Sequence, residues 1–271
     1  MNITIDGKQA DITLEQEKTL GDLLSALESW LRGSGYRLSG LRVDGETVGE
    51  ASLDRFFNRD LATVGTLDLQ TSSWAEHAIQ SVLSLYGAAR ELEQSAYAER
   101  EALRARWEAM PGARFLKSEI PDLWAMADKT FAGEGAAPGV LRGLLEERLR
   151  ELEDPRRELA ASEALVEALA RRLGELPLDI QTGKDRRAAE TMGLFSALAE
   201  KLVRIFNLLK IEGLLPENVT VEGVPGYIGE FDSTLKDLIR AYEERDTVLV
   251  GDLAEYELAP RLLRFYAAIK A

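Results

Sequence analysis

The chain of 271 residues contains no cysteine. It therefore forms no disulfide, offers no thiolate nucleophile and holds no metal through sulfur, although this does not name a compartment. Histidine is nearly as scarce, with His77 the only one. That removes multi-histidine metal clusters and leaves a single imidazole for ligation or acid–base chemistry. Basic residues are the minority charge, 33 Lys and Arg against 47 Asp and Glu, for a net charge of −14. Phosphate backbones are bound by clustered Lys and Arg, so nucleic acid is not an expected partner. No apolar run approaches the ~18 residues that cross a bilayer. Met1 leads into Ile3-Thr4-Ile5 without a basic or apolar leader pattern. Membrane insertion and secretion are thus not expected, and a cytoplasmic location is. The 45% hydrophobic and 30% charged residues suit a folded protein with a sizeable core.

The hydrophobic rhythm changes near Ser73. Before it, short alternating runs are separated by turn dipeptides: Ile3-Thr4-Ile5, Asp6-Gly7 and Ile12-Thr13-Leu14 predict a hairpin. Thr19 is placed to cap a helix whose Leu20, Leu23, Leu24, Leu27 and Leu31 share one face and which Gly33 and Gly35 stop. Leu41-Arg42-Val43, turned by Asp44-Gly45, predicts a third strand. A short segment with Leu53, Phe56, Phe57 and Leu61 then precedes a last strand, Thr66-Leu67-Asp68-Leu69.

This order resembles the ubiquitin-like branch of the β-grasp family: an opening strand at Met1, a helix from Thr19-Leu20, Ser52-Leu53 leading to Phe56, and the closing strand Thr66 to Leu69. The resemblance covers residues 1–72 and implies a docking domain. Relatives bind partners through an apolar patch on the exposed sheet face, and alignment places Arg42, Asp68 and Gln70 at those positions, so binding of that type is not implied here. Conjugated relatives end in a free diglycine, whereas Gln70-Thr71-Ser72-Ser73 continues into the next helix. The resemblance therefore implies a packing or docking module and not a modifier.

Residues 73–271 follow helical spacing and predict a helical bundle. Ser73 and Glu76 form a capping-box pair at the head of one long helix expected to run to Met110, with Ile79, Val82, Tyr86, Ala89, Ala96, Leu103 and Trp107 on its apolar side. Pro111-Gly112 is expected to end it. Short helices with Phe115, Ile120, Leu123, Trp124 and Phe131 precede the loop from Gly133 to Gly139. Further helices are expected from the ridge Leu141, Leu144, Leu145 and Leu149, from Asp154-Pro155 with Leu165, Leu169 and Leu173 and a stop at Gly174 and Pro177, and from Phe195, Leu198, Leu202, Ile205 and Leu209. Residues 214–230 read as irregular, with Val219-Thr220-Val221 extended. Leu235, Leu238, Ile239 and Tyr242 mark another helix. The last holds Leu249, Leu253, Tyr256, Leu263 and Ile269, with Pro260 expected to bend it. The fold class is thus α+β, a small sheet domain at 1–72 and an all-α domain at 73–271.

No pattern fixes a reaction. Gly183-Lys184 lacks the upstream glycine, the following Ser or Thr and the preceding strand of a phosphate loop. The polar turn around it carries Lys184, Arg186 and Arg187, which are the candidate contacts for an acidic partner or anion, set against the plain reading of a solvated helix start. Thr182 is expected to cap the helix that follows. His77 reads as a surface residue near a helix start. Asp252 and Glu255, three apart and beside Glu257 and Tyr256, can share a helix face and hold a hard cation, or simply face water. Trp74, Trp107 and Trp124 sit at core-like spacing. With no cofactor motif, none is expected. The favoured function is a non-catalytic protein–protein interaction protein, a scaffold, adaptor or assembly factor, with self-association as a first case. An enzyme or small-molecule-binding protein with a pocket between helices is one alternative, and a structural homo-oligomer another. The interaction reading requires an apolar patch left exposed on the monomer; the pocket reading requires convergent polar and titrating groups.

Overall fold

In a computed structural model, the described residues are 1–12, 17–49, 55–95, 99–215, 229, 233–234, 236–238, 240–241, 244 and 246–270. The chain is of the α+β class. Its opening residues build one five-stranded sheet in the order β2-β1-β5-β3-β4. The strands are β1 (Asn2–Ile5), β2 (Lys8–Gln9), β3 (Tyr36–Val43), β4 (Glu46–Thr47) and β5 (Thr66–Ser73). The central pair, β1 and β5, is parallel, while every other pairing is antiparallel. Both hairpin turns are tight two-residue turns with left-handed backbone at each position: Asp6 and Gly7 at φ 50° and 75°, Asp44 and Gly45 at 51° and 83°. The second strand lies at Lys8–Gln9, directly after the turn, and does not include Ile12. The turn geometry sets the register before the apolar run is reached; Ile12 packs beside the core outside any strand, and Thr13 and Leu14 lie outside the described residues.

Helix α1 (Leu20–Gly33) starts as its cap dictates. The Thr19 hydroxyl accepts from Asp22 N at 3.2 Å and the Asp22 carboxylate accepts from Thr19 N at 3.0 Å. Its Leu20, Leu23, Leu24 and Leu27 bury against Ile3, Leu41, Val43, Leu67 and Leu69. Gly21 admits the Phe57 ring so closely that an added Cβ would lie 2.4 Å from it. A bulge between Leu38 and Gly40 resets the alternation of β3. Leu38 thereby joins the core side, and Arg37 falls on the opposite face beside its register partner Ser72. That face is polar: Arg42 and Gln70 are exposed, and Asp68 accepts a 2.5 Å hydrogen bond from the Thr4 hydroxyl.

Two compact units divide the chain, residues 1–149 and 150–271. The change from strand to helix sits at Ser73/Trp74, while the division of packing falls elsewhere, because the first helices pack with the sheet. The long helix expected from Ser73 to Met110 is broken. Helix α2 (Trp74–Gln94) ends where Ser95 turns extended at φ −90°, ψ 150°, and α3 (Arg100–Glu108) follows; Ala96 lies outside the described residues. Pro111 does not merely stop a helix. It opens α4 (Pro111–Glu119), and Pro121 opens α5 (Pro121–Ala132), each in the first turn, where a missing N–H costs nothing. Trp107 stacks on Phe131 at 5.3 Å in this unit's helical core. Gly133 ends α5 in the left-handed conformation at φ 77°, and α6 (Pro138–Glu153) follows.

The second unit is built on α7 (Pro155–Ala161), α8 (Glu163–Gln181), α9 (Asp185–Ile211), α10 (Thr247–Asp252) and α11 (Ala259–Lys270). Phe195, Leu198, Leu202, Ile205 and Leu209 of α9 are buried, as their spacing predicts. Leu238 is buried with them, whereas Leu235, Ile239, Tyr242 and Val219-Thr220-Val221 lie outside the described residues. Helix α8 does not stop at Gly174 or Pro177 but carries both to Gln181, and its buried ridge is Val166, Leu169, Leu173 and Leu176, with Leu165 exposed. The Pro177 ring lies against Gly251 of α10, where an added Cβ would come within 2.8 Å. Pro260 adjoins the distortion of the last helix, its ring and missing N–H acting on the preceding turn. It sits in the first turn of α11, and the distortion lies just before it, in a π-helical stretch at Leu253–Leu258.

Candidate functional site

In the last helical segment, residues 247–270, Val250, Ala254, Leu258, Leu262, Phe265, Tyr266 and Ile269 enter the core of the second unit. The residues expected to do so largely do not. Leu249 and Leu263 are exposed, Tyr256 is 64% exposed and the neighbouring Val248 65%. Leu253 is half-buried and Ile269 alone of the expected set is fully buried. The segment thus has two apolar faces, one satisfied within the unit and one facing outward. Beside the outward face, α8 and α11 leave a groove of about 530 Å³ floored by Val166, Leu263, Tyr266 and Ala267. The Lys270–Glu163 ion pair at 2.5 Å closes one end, and this contact holds the Lys270 ammonium above its ordinary pKa. Burial raises the Tyr266 hydroxyl, which donates to Leu159 O at 3.2 Å.

The acids beside this face do not converge. Glu257 is paired with Arg261 at 2.6 Å, and no cluster of three potential ligands able to hold a metal occurs among the described residues. Asp252 and Glu255 are exposed.

Lys184, Arg186 and Arg187 are brought to one turn, between α8 and α9, but their charge is met within the chain. Asp179, nearly fully buried, faces Lys184 at 3.6 Å and Arg187 at 3.1 Å. Arg187 also pairs with Glu175, and Arg186 with Glu190 at 3.1 Å. Lys184 N donates to Asp179 O at 2.8 Å, closing the turn. Thr182 does not cap α9. Its hydroxyl donates back to Leu178 O at 2.7 Å, at the end of α8. The cationic group accordingly works as the clasp of a helix–helix turn.

A second concavity, in the first unit, holds His77. A cleft of about 670 Å³ opens between β3, the end of β5, α2 and α4, with Arg37, Ser72, His77, Phe115 and Glu119 on its walls. Arg37 Nη2 reaches Glu119 at 3.1 Å, Trp74 Nε1 donates to the same carboxylate at 3.2 Å, and Arg32 approaches it at 3.8 Å. His77 Nδ1 lies 2.5 Å from the Ser72 hydroxyl, with the Phe115 ring 5.5 Å away. Ser73 being the cap of α2, Ser72 and His77 occupy the positions that often form an apolar staple across a helix start, here made polar. Burial and the Arg37 charge lower the His77 pKa against a smaller opposing pull from Glu76. Sequence spacing placed His77 near a helix start; its neighbours come from the β3 bulge and α4, which no local pattern signals.

Against this geometry the family comparisons fall at the two ends. Residues 1–73 match the model of the TP0873 N-terminal domain. Residues 158–268 match a domain of unknown function, DUF8042. The second match contains all of α8 and the outward apolar face. An uncharacterized protein of Treponema pallidum (strain Nichols) is 26% identical over 262 residues, covering 96% of this chain and 92% of its own. No solved structure matches the chain. Among the described residues no helix is long and apolar enough to cross a membrane.

Proposed function

We propose that the chain is a cytoplasmic, non-catalytic protein–protein interaction protein, a scaffold or assembly factor whose partners are proteins and not nucleic acid. The observation that carries this reading is the outward apolar face of residues 247–270, with Val248, Leu249, Tyr256 and Leu263 exposed on a segment whose other face already fills the core. Aromatic and aliphatic side chains held on a rigid helix are the usual anchors of an interface, where burying each contributes about 1.5–3 kcal/mol. The first 72 residues serve, in this reading, as a ubiquitin-like docking head. The sheet order with a parallel central pair and helix α1 packed on one face supports that likeness, and the polar face carrying Arg42, Asp68 and Gln70 argues that docking uses another surface. The test is quantitative capture with the full chain and Tyr256→Glu. A protein partner, another chain or itself, retained in stoichiometric amount by the first and lost by the second is the expected result. Equal recovery by both would remove the apolar face from the argument.

A second reading follows from the cleft at His77, whose volume and converging Ser72, His77, Arg37 and Glu119 are those of a small-molecule site. It predicts a small molecule that co-purifies, seen by native mass spectrometry, and is released by Phe115→Ala. The contacts in the cleft favour the first reading, since Glu119 is held by Arg37 and Trp74, and Ser72 and His77 are paired with each other at the start of α2.

A further inference from the structure

The outward face of the last helical segment has an order beyond being apolar. Leu249, Leu253, Tyr256, Pro260, Leu263 and Ala267 follow one another in steps of four and three, the spacing of a seam between helices. Exposure, and not spacing alone, places Leu249, Tyr256, Leu263 and Ala267 outward. Charge along the segment is divided into two blocks: Asp246, Asp252, Glu255 and Glu257 precede Leu258, and Arg261, Arg264 and Lys270 follow it.

Reversing such a helix about a twofold axis at Leu258 sets Asp246 against Lys270, Asp252 against Arg264 and Glu255 against Arg261. The same operation sets Leu249 against Ala267, Leu253 against Leu263 and Tyr256 against Pro260. Acid meets base and apolar meets apolar at each of these positions, and each contact occurs twice by symmetry. A parallel alignment would instead stack Asp252 on Asp252 and Arg264 on Arg264. Asp252, Glu255 and Arg264 are exposed and carry no ion pair among the described residues, so the Asp252–Arg264 pair has both members available. Arg261 and Lys270 already have partners in Glu257 and Glu163 and would share them.

We propose that this face is covered by a second copy of the chain, the two last helices packing antiparallel as a self-complementary pair. Leu249 of the second copy then lies over the groove between α8 and α11, where Leu263, Ala267 and Val166 form an apolar floor. The inference rests on the interaction reading of the same face and adds the identity of the occupant.

Sedimentation velocity or light scattering on the full chain is expected to give a dimer. Tyr256→Glu is expected to give a monomer with an unchanged circular-dichroism spectrum, because the side chain is exposed. Asp252→Arg and Arg264→Asp, each alone, place like charges at two symmetric contacts and are expected to weaken the homodimer roughly tenfold. Mixed together, those two variants restore both contacts and form a heterodimer tighter than either homodimer. A wild-type chain that stays monomeric across the accessible concentration range overturns the second-copy assignment, as does a dimer indifferent to all three substitutions. Failure of the interaction reading itself is a different result: no stoichiometric protein partner of any kind, self or other, in the capture experiment.

Discussion

His77 sits at the positive end of α2 beside Arg37, a poor place for an imidazolium. Its pKa in the folded chain is below the ordinary 6.5 because burial and Arg37 disfavour the charged ring, Glu76 opposing them. The unfolded chain therefore takes up its proton first as pH falls. The stability tied to a neutral His77 is present above about pH 6.5 and is lost as pH drops through the lower folded value. The wild type is expected to lose stability between pH 7.5 and 5.5, and His77→Gln to flatten that slope, by denaturant titration at the two pH values. Asp44, lowered chiefly by its backbone hydrogen bond from Thr66 with help from Gly65 and Arg59, changes only at more acidic pH. Gly251 offers a steric test at the same scale. A methyl there meets the Pro177 ring, so Gly251→Ala should lower stability by about 1–3 kcal/mol despite the better helix propensity of alanine. A melt that rises instead would mean that α8 and α10 are not in contact at this point.

Helix starts were the most legible elements, because capping is local chemistry. Thr19 with Asp22 and Ser73 with Glu76 each satisfy two backbone N–H groups within four residues of chain. Thr19→Ala is expected to cost about 1 kcal/mol in denaturant unfolding, and Thr19→Ser almost nothing; equal losses from both would remove the cap from the explanation. The same locality made the turns at Asp6-Gly7 and Asp44-Gly45 and the buried ridge of α9 readable. What the sequence hid were effects set by distant contacts. Gly174 and Pro177 read as a stop, but α8 continues through both, with the proline ring seated against Gly251 of α10. The last segment buries Val250, Ala254, Leu258 and Leu262, in steps of four through a π-helical stretch at Leu253–Leu258, and the stripe Leu249 to Leu263 proved to be the outward one. The cationic turn at Lys184, Arg186 and Arg187 looked available because Asp179 and Glu175, its neutralising partners, lie on the preceding helix. The break at Ser95 likewise interrupts a pattern whose flanks, Ala89 and Trp107, are both buried and so gave no warning.

At the scale of the chain, the sheet and the second unit have cores organised around different residues. The sheet core gathers Leu20, Leu67 and Leu69, while the core of residues 150–271 gathers Phe195, Leu202 and Phe265. The net charge of −14 also opposes compaction in each and keeps copies apart at low ionic strength. Salt should therefore aid folding generally, yet it should weaken any contact held by opposite charges. The two cores make the chain's cooperativity measurable, because a substitution deep in one need not act through the other. Phe195→Ala removes a fully buried ring and should cost about 3–5 kcal/mol; Leu67→Ala, in the sheet, about 2–5 kcal/mol. If the cores are separate cooperative units, calorimetry resolves two transitions, and each substitution lowers one and leaves the other in place. A single transition moved equally by both would show that the chain unfolds as one body, and that the division at 149/150 describes packing without independence.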